Sequence, residues 1–162
     1  MTKIVAFTGH RPDKLPGGWN GDGGALCEWI EHELQMNKVD VVIVGGALGI
    51  DQIAMEAADN AGCYIILMEP FPAFWKKWPI ARIEKYMHLK YGISDQRIKR
   101  RVIDKDAEYD GRKMQKRNEA MVNECNEVWA FHNGSAGGTA NCVRYAEKVG
   151  KPVRNLFKEY NQ

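Results

Sequence analysis

The chain lacks the features that mark a membrane protein, a disulfide-stapled secreted protein or a zinc ribbon. No apolar run approaches the roughly 20 residues that a transmembrane helix needs. The first residues pass from a short apolar run into polar turn residues, unlike a signal peptide. Four cysteines are present but none forms a CxxC pair, which excludes a thioredoxin-like motif. We therefore expect a cytoplasmic protein with reduced, buried thiols, and we assign it no metal and no cofactor.

The chain also lacks a strong net charge, since 23 basic residues face 21 acidic ones. This near-balance argues against a nucleic-acid coat protein. The charges are nevertheless divided along the chain. Between Lys76 and Arg117 lie 14 basic and six acidic residues, which leaves nine basic and 15 acidic residues elsewhere. Such a segment indicates an anionic partner, although a solvated surface is the alternative.

Length and periodicity predict one domain spanning residues 1–162. Short apolar runs near 3–7, 39–44, 64–68 and 127–131 alternate with segments of helical spacing. This alternation predicts an α/β fold, a three-layer Rossmann-like parallel sheet with helices on both faces. We also predict strands at 99–103 and 153–157, a glycine-rich loop at 15–24 and a basic insertion at about 70–111.

Three loops that follow predicted strands carry unusual residues, at 8–12, 45–51 and 133–139. In a parallel sheet such loops leave from the same carboxyl edge. Two of them run into a helix, where free N–H groups and the helix dipole favour phosphate. The pattern predicts a nucleotide-like ligand, although glycines that only form turns are the alternative.

Particular side chains extend this hypothesis. Asp51 either caps its helix or contacts ribose hydroxyls, and His10 either binds phosphate or caps a turn. Arg117 and Asn118 share the apolar helix face of Met114, and a buried arginine needs a carboxylate or an anionic ligand. His32, His88 and His132 have no metal-like spacing. The predicted ligand-binding residues are Thr8, Gly9, His10, Arg11, Gly45, Gly46, Ala47, Gly49, Asp51, Arg117, Asn118, Gly134, Gly137, Gly138 and Thr139.

Four motifs occur in a specific order, TGHRP, GGALGID, RNEAMV and GSAGGT. In this the chain resembles the SLOG superfamily of DprA/Smf and LOG proteins, and within it the YspA/YpsA-like branch of small bacterial and phage proteins. The resemblance implies a Rossmann-like sheet, a homodimer and a nucleotide pocket at these loops. LOG phosphoribohydrolases carry a glutamate where this chain has Cys142, and a thiol cannot replace that carboxylate.

Three functions follow as hypotheses. The first is binding of a nucleotide, an ADP-ribose-like molecule or a cyclic nucleotide, for sensing or sequestration in bacterial or phage stress or defence. The second is an N-glycosidic hydrolase in which another acid, Asp51 or Glu69, replaces the missing glutamate. The third is single-stranded nucleic-acid binding, because aromatic residues interleave with the basic segment, namely Trp75, Trp78, Tyr86 and Tyr91. No residue is assigned as catalytic.

Overall fold

A computed structural model describes residues 1–18 and 24–161. Part of the predicted glycine-rich loop at 15–24, residues 19–23, therefore lies outside the described residues. The strands are β1 (Ile4–Gly9), β2 (Val41–Val44), β3 (Tyr64–Glu69), β4 (Ile98–Val102), β5 (Glu127–Phe131) and β6 (Val153–Asn155). The helices are α1 (Ala25–Met36), α2 (Ile50–Ala61), α3 (Ile80–Gly92), α4 (Gly111–Glu124), α5 (Gly138–Lys148) and α6 (Leu156–Tyr160). A short 3-10 helix, Pro12–Lys14, follows β1.

All the strands pair in parallel, in the order β4-β3-β2-β1-β5-β6. The chain builds outward from β1 to β4 and then crosses back to place β5 on the other side of β1. The strand order therefore reverses between β1 and β5, and ligands of open α/β sheets bind at such a switch point. The register across this point pairs Phe7 with Trp129, and their rings pack edge to face with centroids 5.6 Å apart.

The helices cover both faces of the sheet because the strands are apolar on both sides. Val5 and Phe7 of β1 point into a large core that α1, α2, α3 and α6 cover. Ala6, on the opposite face, belongs to a smaller core with Met121 and Cys142 of α4 and α5. This arrangement confirms the predicted three-layer α/β fold.

The predicted strand at 99–103 forms one residue earlier, as β4. The last strand is shorter than predicted because the Asn155 side chain accepts a hydrogen bond from the Phe157 amide and caps α6. The segment at 70–111 contributes α3 and β4, so its strand joins the same sheet. None of the helices in the described part of the chain is long and apolar enough to cross a membrane.

Candidate functional site

A cavity of about 310 Å³ lies at the switch point, at the carboxyl ends of β1 and β5. We call it the switch-point cavity. Its walls come from the β1 loop (residues 10–15), the β2 loop (45–49), the β5 loop (132–137) and the start of α5, with α4 on one side. It is lined by Phe7, Thr8, Gly9, His10, Arg11, Asp13, Lys14, Ala47, Asp51, Met114, Arg117, Asn118, Ser135, Ala136, Gly137, Gly138 and Thr139.

Arg117 is the central cation of this cavity and only 5% exposed. Its Nη1 donates to the carbonyl of Gly45 and, at 3.5 Å, to that of Met68, while Nε donates to Asn118 Oδ1 at 2.7 Å. Nη2 has no hydrogen-bond partner among residues 1–18 and 24–161. Burial lowers the pKa of Arg117, and the charge of Asp51 partly offsets this. The guanidinium is thus anchored on one side and keeps donor capacity for a ligand.

The β2 loop packs so closely that its glycines are required by neighbouring protein groups. A methyl group on Gly45 would lie 2.6 Å from Cζ of Arg117, and one on Gly46 would lie 2.6 Å from the hydroxyl of Tyr86. Gly49 has a φ of +99°, and its Cα lies against the His10 carbonyl. These glycines let the loop support Arg117 and the β1 loop.

Asp51 lies in the first turn of α2 and is 7% exposed. Its Oδ2 accepts a hydrogen bond from the amide of Ala47 at 3.1 Å, and the Gly45 amide also stabilises the carboxylate. Burial raises the pKa of Asp51, against the opposing effect of Arg117 and Arg11. The carboxylate therefore orders the β2 loop and forms no side-chain cap on α2. It also lines the cavity, as the ligand-contact interpretation requires.

His10 connects the β1 and β5 loops. It is 6% exposed, and its Nε2 accepts a hydrogen bond from the Asn133 amide at 2.7 Å. Its ring lies 5.7 Å from that of His132. Burial lowers the pKa of His10, as does the nearby His132. Both effects favour the neutral ring, and because Nε2 accepts a hydrogen bond, the neutral ring carries its proton on Nδ1.

Positive charge and free amides converge from two sides of the cavity. Lys14 Nζ donates to Ser135 Oγ at 3.0 Å, which joins the β1 loop to the β5 loop. Helix α5 begins after Gly137, whose φ is +139° and which provides no side-chain cap. The first amides of α5, at Gly138 and Thr139, line the same cavity as Lys14 and Arg117. This combination can hold an anion such as phosphate.

Eleven of the fifteen residues predicted from the sequence line the switch-point cavity. The other four, Gly45, Gly46, Gly49 and Gly134, do not line it. Sequence reasoning missed six lining residues, of which Lys14 is the one with a charge suited to an anion. Its signal was its place three residues after Arg11, just beyond the predicted loop at 8–12. The remaining five are Phe7, Asp13, Met114, Ser135 and Ala136.

The side chains of Cys142 and Glu69 are both buried and engaged within the fold. Cys142 is buried, and burial raises the pKa of its thiol to about 11, so the reactive thiolate is scarce at neutral pH. Glu69 accepts hydrogen bonds from the Tyr86 hydroxyl at 2.7 Å and from Lys90 Nζ at 2.8 Å. Both carboxylate oxygens of Glu69 therefore accept hydrogen bonds. The Tyr86 hydroxyl, which donates one of them, also packs against Gly46.

Part of the positive charge of the basic segment between Lys76 and Arg117 is neutralised within the fold. At least seven of its 14 cations form ion pairs with described residues, namely Lys90–Glu69, Arg97–Asp59, Arg100–Asp95, Arg101–Glu124, Arg112–Asp110, Lys113–Asp106 and Lys116–Asp104. The aromatic residues of the segment do not form one platform either. Tyr86 is fully buried, whereas Tyr91 lies on the outer side of α3. The prediction that Tyr86 stacks on nucleic acid is therefore wrong, because α3 buries it under the β2 loop.

Several solved structures share this fold at low sequence identity. DNA processing protein A (DprA) from Helicobacter pylori, described in its single-stranded DNA binding mode, aligns with a TM-score of 0.64 and 23% identity, over 93% of this chain and 63% of that chain. The molybdenum cofactor carrier protein from Chlamydomonas reinhardtii aligns with a TM-score of 0.58 and 20% identity, over 94% of this chain and 75% of that one. These similarities show that the chain shares the fold of these proteins.

No protein-family model matches the chain. A curated relative does: the SPbeta prophage-derived protein YoqJ of Bacillus subtilis is 32% identical over 133 residues, which cover 74% of this chain and 77% of YoqJ. The chain therefore belongs to the same family as YoqJ.

Proposed function

We propose that the protein binds a nucleotide or nucleotide-derived ligand, with a phosphate in the switch-point cavity. The observation that carries this proposal is Arg117. It is buried and forms no ion pair with a carboxylate of the described residues. It lines the same cavity as the start of α5, and its Nη2 forms no hydrogen bond with the described residues. A buried cation without a paired anion is costly, and a bound phosphate would offset that cost.

The other cavity residues complete such a site. The amides of Gly137, Gly138 and Thr139 and the Lys14 ammonium would contact the phosphate, as the helix N-terminus favours an anion. Asp51 would repel phosphate, so we assign it to sugar hydroxyls. The remaining proposed contacts are Thr8, Gly9, His10, Arg11, Ala47 and Asn118. An ADP-ribose-like molecule and a cyclic nucleotide both carry the required groups.

Thermal stability in the presence of ligand tests this proposal. We expect inorganic phosphate, AMP, ADP-ribose or a cyclic nucleotide to raise the melting temperature with concentration, because a ligand stabilises only the folded state that binds it. Arg117→Gln and Lys14→Gln should each weaken binding about 10- to 100-fold, the value of a charge-assisted hydrogen bond. Arg112→Gln is the matched control, since this arginine is also on α4 but exposed and paired with Asp110. The absence of any shift in the unmodified protein with all probes would contradict the proposal.

One observation favours hydrolysis of an N-glycosidic bond as a second candidate. Asp51 is a buried carboxyl group with a raised pKa that lines the cavity, and such a group can serve as a catalytic acid or base. Release of free base from nucleoside monophosphates, lost in Asp51→Asn, would support this reaction. Unchanged substrate would leave binding as the function, since the Ala47 amide already engages the carboxylate.

The likeness to the YspA/YpsA-like branch leads us to propose further properties. These are a cytoplasmic homodimer, bacterial or phage origin and a role in sensing or sequestering the nucleotide. Sedimentation velocity measures the association state directly, and a monomer at micromolar concentration would contradict the dimer. Single-stranded nucleic-acid binding, for which DprA from Helicobacter pylori is described, receives less support here because half of the basic segment is ion-paired.

A further inference from the structure

A second cavity of about 190 Å³ adjoins the switch-point cavity. Four residues line both cavities, namely Arg11, Ala47, Met114 and Arg117. These four residues therefore form a common border of the two spaces. We call the second space the aromatic groove.

Four aromatic side chains line the aromatic groove, Phe71, Phe74, Trp78 and Tyr109. They pack edge to face: ring centroids are 5.9 Å apart for Phe71 and Tyr109, and 5.3 Å apart for Phe74 and Trp78. This packing fixes the rings relative to one another, and none of these pairs is a parallel stack. The aromatic groove thus offers aromatic surface against which a planar ring can pack.

Tyr109 is an exposed aromatic residue on an anchored loop at the edge of the aromatic groove. Its side chain is 69% exposed, yet the loop that carries it is anchored. The buried Lys113 donates hydrogen bonds from Nζ to the carbonyls of Asp106 and Glu108, at 2.8 and 2.5 Å. The same Nζ lies 5.3 Å from the centre of the Phe71 ring. A large aromatic group is therefore held in water at the edge of the groove, where covering it with a ligand ring is favourable.

The aromatic groove also carries positive charge. Lys76 and Lys77 also line it, and neither forms an ion pair with the described carboxylates. Together with Arg11 and Arg117, four cations line the groove beside its aromatic rings. An uncharged aromatic ligand would leave these four cations unused, whereas an aromatic ring linked to phosphate matches both features.

We propose that the aromatic groove holds the heterocyclic base of a nucleotide whose phosphate lies in the switch-point cavity, which rests on the proposed function. The base stacks on Tyr109 and Trp78, and Lys76 and Lys77 contact a second anionic group of the ligand. Stacking accepts every base, because each base presents a π face. The ligand is accordingly a nucleotide with more than one anionic group, and adenine and guanine forms bind with similar affinity.

Calorimetric titration with matched ligands tests this inference. AMP and ribose 5-phosphate share the phosphate and the sugar but differ in the base. We expect AMP to bind at least 10-fold more tightly to the unmodified protein. Tyr109→Ser should weaken AMP about 5- to 100-fold, the range for loss of one stacked base, and leave ribose 5-phosphate within twofold. Tyr91→Ser is the matched control, since Tyr91 is 61% exposed beside Lys90 and Arg100 but lies outside the groove.

The outcomes separate this inference from the proposed function. Equal affinity of AMP and ribose 5-phosphate would overturn the base site and leave phosphate binding intact, whereas no binding of either would overturn both. If Tyr109→Ser weakens an oligothymidylate but not AMP, the groove serves a nucleic-acid strand and the assignment to a nucleotide is overturned. Tryptophan fluorescence gives a second readout: AMP should quench it in the unmodified protein and much less in Trp78→Phe.

Discussion

Replacing Gly45 by alanine should destabilise the protein only while Arg117 is present. The backbone at Gly45 does not have a positive φ, so alanine is compatible with its conformation. The added methyl group would lie 2.6 Å from Cζ of Arg117, well inside van der Waals contact. Either the guanidinium or the β2 loop must then move, and the hydrogen bond from Arg117 to the Gly45 carbonyl is lost.

The magnitude follows from these contacts. Overpacking of a buried site and loss of a charged hydrogen bond together cost about 2 kcal/mol or more in the unmodified protein. In the Arg117→Ala background the space is open, and alanine in place of glycine stabilises by about 0.5 kcal/mol through the unfolded state. The coupling between the two positions is therefore about 2.5 kcal/mol, at the upper end for residues in contact. For a chain of this length it corresponds to a difference of about 5–10 °C in melting temperature.

Urea denaturation of the four proteins of the double-mutant cycle, followed by circular dichroism, measures this coupling. Gly62→Ala provides the control. Gly62 has a φ of +81° at the other end of α2 and nothing packed against its Cα, so its cost should be the same with and without Arg117. If Gly45→Ala lowers the free energy of unfolding equally in both backgrounds, Gly45 does not serve to make room for Arg117.

Three further predictions concern stability and reactivity. Glu69→Gln leaves the buried Lys90 without its counter-charge and should lower the free energy of unfolding by about 3–5 kcal/mol; a loss below about 1 kcal/mol in urea denaturation would contradict it. Because the folded protein lowers the pKa of His10, the unfolded state binds more protons than the folded state below about pH 6.5. The free energy of unfolding should therefore fall as the pH is lowered, by at most about 1.4 kcal/mol per pH unit. The fall should be smaller in His10→Asn. With a thiol pKa of about 11, Cys142 should resist iodoacetamide at pH 8, where about one thiol in a thousand is ionised, and react once urea unfolds the chain. Peptide mass spectrometry reads this out, and rapid labelling of the native protein would be the contrary result.

The sequence was sufficient wherever a local period decides the structure. The spacing of Met114, Arg117 and Asn118 put the arginine on the buried face of α4, and the structure agrees. Its partners were beyond reach of the sequence, because the carbonyls of Gly45 and Met68 lie 72 and 49 residues away. A helical period tells which face is buried but not what lies against it.

The role of each loop glycine was also beyond reach of the sequence. Gly45, Gly46 and Gly137 look equivalent as members of loops that precede helices. In the structure Gly45 and Gly46 make room for Arg117 and Tyr86, while Gly137 has nothing against its Cα and lines the cavity. Whether a glycine serves a ligand or a protein neighbour depends on long-range packing, which a motif does not contain. Lys14 was missed for a related reason, since it reaches Ser135 from 121 residues away.

The charges of the basic segment have different partners in the fold from those that the sequence pattern suggests. A segment with 14 cations and six acids predicts a surface for an anionic polymer if its charges face solvent. Three of its cations instead pair with acids outside the segment, at Asp59, Glu69 and Glu124, and four more pair within it. Of the other seven cations, Lys76, Lys77 and Arg117 line the two cavities. The remaining four, Arg82, Lys85, Lys99 and Lys105, line neither cavity. Phosphate contacts spaced along a polymer need an extended row of free cations, whereas cations gathered at two adjoining cavities favour a small ligand with its charges close together.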